Sequence, residues 1–95
     1  MDKIDVRQIR RMLGMNQEQF WSRLGVTQSG GSRYEGGRTM PPAVAQLLRL
    51  VHVEGIDAGK VRREDYEVLQ YLKAHQADLY KSLKKQVRSQ QKQLA

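Results

Sequence analysis

The chain has no cysteine, which excludes disulfides and thiolate zinc sites and fits a cytoplasmic protein. Its two histidines, His52 and His75, stand far apart with no H-E-x-x-H pattern, so neither reads as a metal ligand or a catalytic base. The pairs Gly30-Gly31 and Gly36-Gly37 neither open a strand-to-helix unit nor precede Lys-Ser/Thr, so no phosphate loop is expected. No enzyme activity, cofactor or metal follows from any of these residues. Aromatics are only 6% and lie on no strand-like pattern, which argues against RNA modules that stack bases on a sheet. No apolar run approaches the roughly 18–20 residues a bilayer requires, and no signal peptide opens the chain. Acids are also scarce, 10 against 17 Lys and Arg, leaving a net charge of +7 and a pI near 10.1. That balance favours a polyanionic partner, nucleic acid above all, although charge alone suits an anionic membrane equally well.

What is present is organised around residues 16–38, NQEQFWSRLGVTQSGGSRYEGGR. Asn16 with Gln19 three residues on forms a capping box ahead of the apolar pair Phe20 and Leu24, so a helix starts near Gln17. Gly25 offers the left-handed residue that ends it, and Thr27 offers an oxygen to cap a second helix beginning near Gln28. Two short helices joined by a glycine-containing turn make a helix-turn-helix, whose second helix enters the DNA major groove.

The ordered set Gln17, Leu24-Gly25-Val26-Thr27-Gln28-Ser29, Ser32-Arg33-Tyr34-Glu35 and Gly37-Arg38, followed by Pro41-Pro42, resembles the Xre family of bacterial and phage transcriptional regulators, which includes lambdoid Cro and repressor proteins. The resemblance covers residues 5–53. It implies an all-α, lambda-repressor-like domain, with Gln17 on a phosphate and Gln28, Ser29 and Arg33 facing bases. Side-chain chemistry agrees: Gln pairs two ways with adenine and Arg two ways with guanine, while Ser29 is short enough that its contact runs through water. Ser32 suits a base or a phosphate. Arg38 and the amides of its loop suit the backbone, which fixes register without reading sequence. Tyr34 and Glu35 are assigned to holding the fold, Tyr34 by burying its ring.

Around this motif, Val6, Ile9 and Leu13 describe a first helix capped by Asp5 and stopped by Gly14. Its outer Arg7, Arg10 and Arg11 either touch phosphates, Arg10 being the candidate contact, or form a solvated face. Val44, Leu47, Leu48 and Val51 describe a fourth helix to about Val53. The domain is thus residues 1–53, with 54–62 as linker. From 63 to 90 there is neither glycine nor proline, and the expectation is one long helix, fraying into a basic tail by residue 95. Leu69, Leu72, Leu79 and Leu83 take heptad positions, with Gln76 and Gln86 filling two others. This stripe either covers the domain core or, as its length favours, pairs with a second chain to make a homodimer. The function expected is a sequence-specific, double-stranded DNA-binding regulator, a repressor acting as a dimer on a palindromic operator. The alternatives are an antitoxin whose C-terminal helix binds a toxin, and general nucleic-acid binding by charge.

Two residues depart from the family pattern. Trp21 stands where alanine is usual, and Gly31 stands where a branched apolar residue is usual. A large residue beside a missing one suggests compensation, with the indole lying across Gly31 and Gly30. The other reading has Trp21 pointing outward to a partner or to DNA.

Overall fold

The computed structural model describes residues 5–94, with side chains through Gln91; the expected fraying at the end of the chain and the Lys92 side chain lie outside them. Among the described residues there are helices and turns but no strand. The chain divides into two compact units, Met1–Ala58 and Gly59–Ala95, and the division falls within the glycine-containing stretch 54–62.

In the first unit the first three helices begin where a side chain satisfies a free amide. Asp5 accepts from Gln8 N to start α1, Val6–Met12, and Gly14 follows at φ 69°. Asn16 and Gln19 close their capping box at 2.8 and 3.0 Å to start α2, Gln17–Ser22. Gly25, at φ 72°, turns the chain in a conformation that costs a residue with a Cβ more than it costs glycine. Thr27 then caps α3, Gln28–Glu35, through a 3.1 Å bond from Gly30 N. Pro42 supplies the first turn of α4, Pro42–Leu48, where its missing N–H is no loss. One π-helical turn, Arg49–Val53, continues α4.

Val6, Phe20, Trp21, Leu24 and Leu48 form the buried core, with Ile9, Val44 and Val51 packed partly against it. The expected stripes are recognisable, but two of their members are not interior: Leu13 is 44% exposed and Leu47 38%. On the side of α4 that faces the core, the next buried residue after Leu48 is His52, four residues on. The His52 ring stacks on Phe20 at 3.8 Å, and its Nε2 donates to the Phe20 carbonyl at 2.8 Å. That carbonyl lies in the last turn of α2, where helical oxygens lack partners.

The second unit corrects the expectation of one continuous helix over 63–90. Two helices stand there, α5, Arg63–His75, and α6, Ala77–Leu94. Gln76 separates them at φ −134°, ψ 49°; its N–H still bonds to Leu72 O and its carbonyl accepts from Tyr80 N, both at 2.9 Å. The break falls on the polar residue that interrupts the leucine stripe. Lys73 and His75 precede it and Asp78 follows it, so cations meet the C-terminus of one helix dipole and an acid the N-terminus of the next. Breaking there also brings Leu69 and Leu72 to face Tyr80, Leu83 and Val87 across one apolar groove of about 390 Å³. A straight helix would leave those residues strung along a single open seam.

Candidate nucleic-acid interface

The helix-turn-helix presents α3 with two unlike sides. Gly31 is buried and Tyr34 and Glu35 half-buried, while Gln28, Ser29, Ser32 and Arg33 are all exposed. At 3.6 residues per turn these four share the outward side of the helix, Gln28 and Ser29 in its first turn and Ser32 and Arg33 one turn on. Neither Arg33 nor Arg38 meets a carboxylate among the described residues. Both guanidiniums are therefore open to an external acceptor.

The inward side of α3 is shaped by Trp21, which is fully buried. A Cβ built on Gly31 would overlap the Cγ and Cδ1 atoms of the indole, so glycine here makes room for the ring. The expected compensation between Trp21 and Gly31 is present; the part assigned to Gly30 is not. A Cβ on Gly30 would instead meet Thr27 Oγ1 at 3.2 Å and Val26 Cγ1 at 3.3 Å. Phe20 lies edge-on to the indole at 5.2 Å, and Tyr34 is tilted against it at 5.5 Å.

A buried indole N–H needs an acceptor, and Trp21 Nε1 donates to Glu35 Oε2 at 2.8 Å. Glu35, whose side chain has no exposure, also pairs with Arg10 through Nη2 at 3.0 Å and Nε at 3.1 Å. Gln17 contributes a further hydrogen bond. Burial pushes the Glu35 carboxyl upward, but hydrogen bonds from Arg10, Trp21 and Gln17 outweigh it and hold its pKa below the ordinary glutamate value. One carboxylate thus ties α1, α2 and α3 together beneath the exposed face.

This hub revises the roles of several residues. Arg10, expected at phosphates, has its guanidinium engaged by Glu35 and by the Met15 carbonyl at 3.1 Å, with only 14% of its side chain exposed. Arg7 joins the hub from the outside, 3.6 Å from Glu35 Oε1, and Arg11 stays exposed. Gln17 is half-buried. The loop amides expected to be free are also engaged: Gly36 N bonds to Ser32 O, Gly37 N to Tyr34 O and Arg38 N to Arg33 O, at 2.9–3.2 Å. The exposed Arg38 side chain is what that loop offers. Sequence reasoning missed the bond from Trp21 to Glu35, although the signal was there: Glu35 lies one helical turn beyond Gly31, on the same face.

Among the described residues no cluster of His, Asp or Glu could hold a metal, and no helix is long and apolar enough to cross a membrane. No curated protein and no solved structure matches the chain. Residues 7–51 match the family model described as RsaL-like HTH domain, which spans all four helices of the first unit and supports the resemblance at the level of a helix-turn-helix regulator family; the narrower likeness to Xre and Cro rests on the motif residues alone. The first unit is a helix-turn-helix domain of the kind found in DNA-binding transcription regulators.

Proposed function

We propose that the protein is a sequence-specific regulator that binds double-stranded DNA as a homodimer on a palindromic operator and represses by occupying it. The observation that carries this reading is the sidedness of α3: Gln28, Ser29, Ser32 and Arg33 stand exposed on one side while Trp21 and Glu35 anchor the other. Gln28 and Arg33 read bases in the major groove, and Ser29 and Ser32 reach a base, a phosphate or a bridging water. The Arg38 guanidinium contacts phosphates, and Gln17, one of whose amide hydrogens goes to Glu35, turns its second to a phosphate. Arg10 takes no part, because it is held by Glu35. The dimer forms through the second unit, whose apolar groove has no described residue buried within it.

Binding-site selection from random duplexes tests the assignment. The wild-type protein should return a palindrome, and Gln28→Ala and Arg33→Ala should each lose about 1–3 kcal/mol of discrimination at one base position per half-site. Arg38→Ala should weaken all sequences alike. Selection by the Gln28 and Arg33 variants of the same site, with the same ratios, would remove α3 as the reading element.

A further inference from the structure

We propose that α6 carries a second DNA contact, a strip of cations that holds the phosphate backbone without reading sequence. At 3.6 residues per turn, Lys81, Lys84, Lys85 and Arg88 fall within about 100° of one another, and all are exposed. Leu79, Leu83 and Val87 occupy the other side of the helix; Lys84 and Arg88 stand at the rim of the apolar groove, and Lys81 and Lys85 lie farthest from the stripe, so pairing through it leaves these two fully outward.

The arrangement costs stability that a merely solvated face avoids. Like charges three and four residues apart repel on a helix, and surfaces relieve this by interspersing acids. In α6 the acid is Asp78, in the first turn, and none of the four cations meets a carboxylate among the described residues. In the first unit Arg7 and Arg10 meet Glu35 and Arg49 meets Glu54, and the cations left without a carboxylate include Arg33 and Arg38, which the DNA-binding reading assigns to DNA. Lys84 is drawn to the Tyr80 ring, its Nζ 5.5 Å from the centroid, which leaves Lys81, Lys85 and Arg88 uncommitted. Duplex DNA removes the repulsion, since it presents about one charge per 1.7 Å of axis and releases counterions when cations replace them.

An anionic membrane is the other polyanion such a helix meets, but interfacial helices bury a broad apolar face rich in Trp, Phe and Leu. Here Gln86 and Gln90 interrupt a narrow stripe, and α6 has neither Trp nor Phe. Tethering favours DNA as well, because a helix-turn-helix already on the duplex raises the effective concentration of α6 beside it. The inference rests in this respect on the DNA-binding reading above.

The test uses the full chain with Lys81→Gln, Lys85→Gln and Arg88→Gln together, glutamine being a good helix former. Affinity is measured across salt on the selected operator and on a random duplex. The slope of log K against log salt should become shallower by about 0.9 for each phosphate that is no longer neutralised, up to about 2.7 per chain, equally on both duplexes and with their ratio unchanged. A charge-preserving variant, Lys81→Arg, Lys85→Arg and Arg88→Lys, should keep the wild-type slope, and Lys85→Gln alone should show a single step if the triple variant fails to fold. An unchanged slope on both duplexes overturns the proposal. So does a changed ratio, which would make the strip a base reader, and so does an unchanged slope with abolished binding to phosphatidylserine vesicles, which would make it a membrane anchor. Failure of the helix-turn-helix reading would look different: wild type would bind operator and random DNA alike, while the slope still responded to α6.

Discussion

Trp21 and Gly31 are one structural unit written at two positions. Alanine is ordinarily worth about 0.8–1.0 kcal/mol more than glycine inside a helix, yet Gly31→Ala should destabilise the protein, because its methyl would occupy the space of the indole. Trp21→Ala should cost about 3–5 kcal/mol, as other large aromatic core truncations do, and it also removes a donor from Glu35. Gly31→Ile should be disruptive alone and should partly restore the Trp21→Ala background. Urea unfolding of the two single variants and the double variant measures the coupling; strictly additive effects would show that the two sites do not share a volume. This pairing was legible in the sequence because the two departures from the family pattern were of opposite size. The burial of Arg10 was not, since an arginine on the outer side of an amphipathic helix looks the same whether it faces solvent or a carboxylate contributed by a distant turn.

At the scale of elements, caps made the first three helices legible: Asp5, Asn16 and Thr27 each stand one residue before a helix, and Gly14 and Gly25 each take positive φ just beyond one; the fourth was marked by its prolines and apolar stripe. The break at Gln76 was hidden, because no glycine or proline marks it and what favours it is contact between distant leucines. The same elements are joined by two ionisable pins. His52 holds the end of α4 to α2, and Glu35 holds α1 and α2 to α3. Burial, aided by the charge of Arg23 and opposed by the bond to Phe20, places the His52 pKa below its usual 6.5. Protons then bind the unfolded chain more readily, so the stability His52 contributes is complete above about pH 6.5 and is lost as pH falls through the lower folded value. Glu35 has the same sign: its contribution is complete above about pH 4.5 and is lost below, as pH falls through its depressed folded value. Thermal unfolding followed from pH 8 to about pH 3 should therefore decline in two stages. His52→Gln, which keeps a donor for the Phe20 carbonyl, should flatten the first stage and leave the second, whereas Glu35→Gln should start from a lower stability and flatten the second. A wild-type curve that stays level until about pH 4.5 would show that His52 is not a pin of this kind.

For the whole molecule, the second unit leaves most of its apolar side chains uncovered. None of the α5 residues is buried, and Leu69, Leu79, Leu83 and Val87 are 37–53% exposed. Association through this unit would cover those side chains and link two α3 helices, matching a palindrome whose half-sites lie about 34 Å apart. Two linked domains bind with an avidity of about 10²–10⁴ over one. Placing charge in the groove with Leu72→Glu and Leu83→Glu should convert a sedimenting dimer to monomer and lower operator affinity by about that factor, with base preference within each half-site unchanged, since α3 belongs to the other unit. If the wild-type chain sediments as a monomer at high concentration and the double variant binds the operator as well as wild type, the groove does not join two copies, and covering it then falls to a different protein such as a toxin.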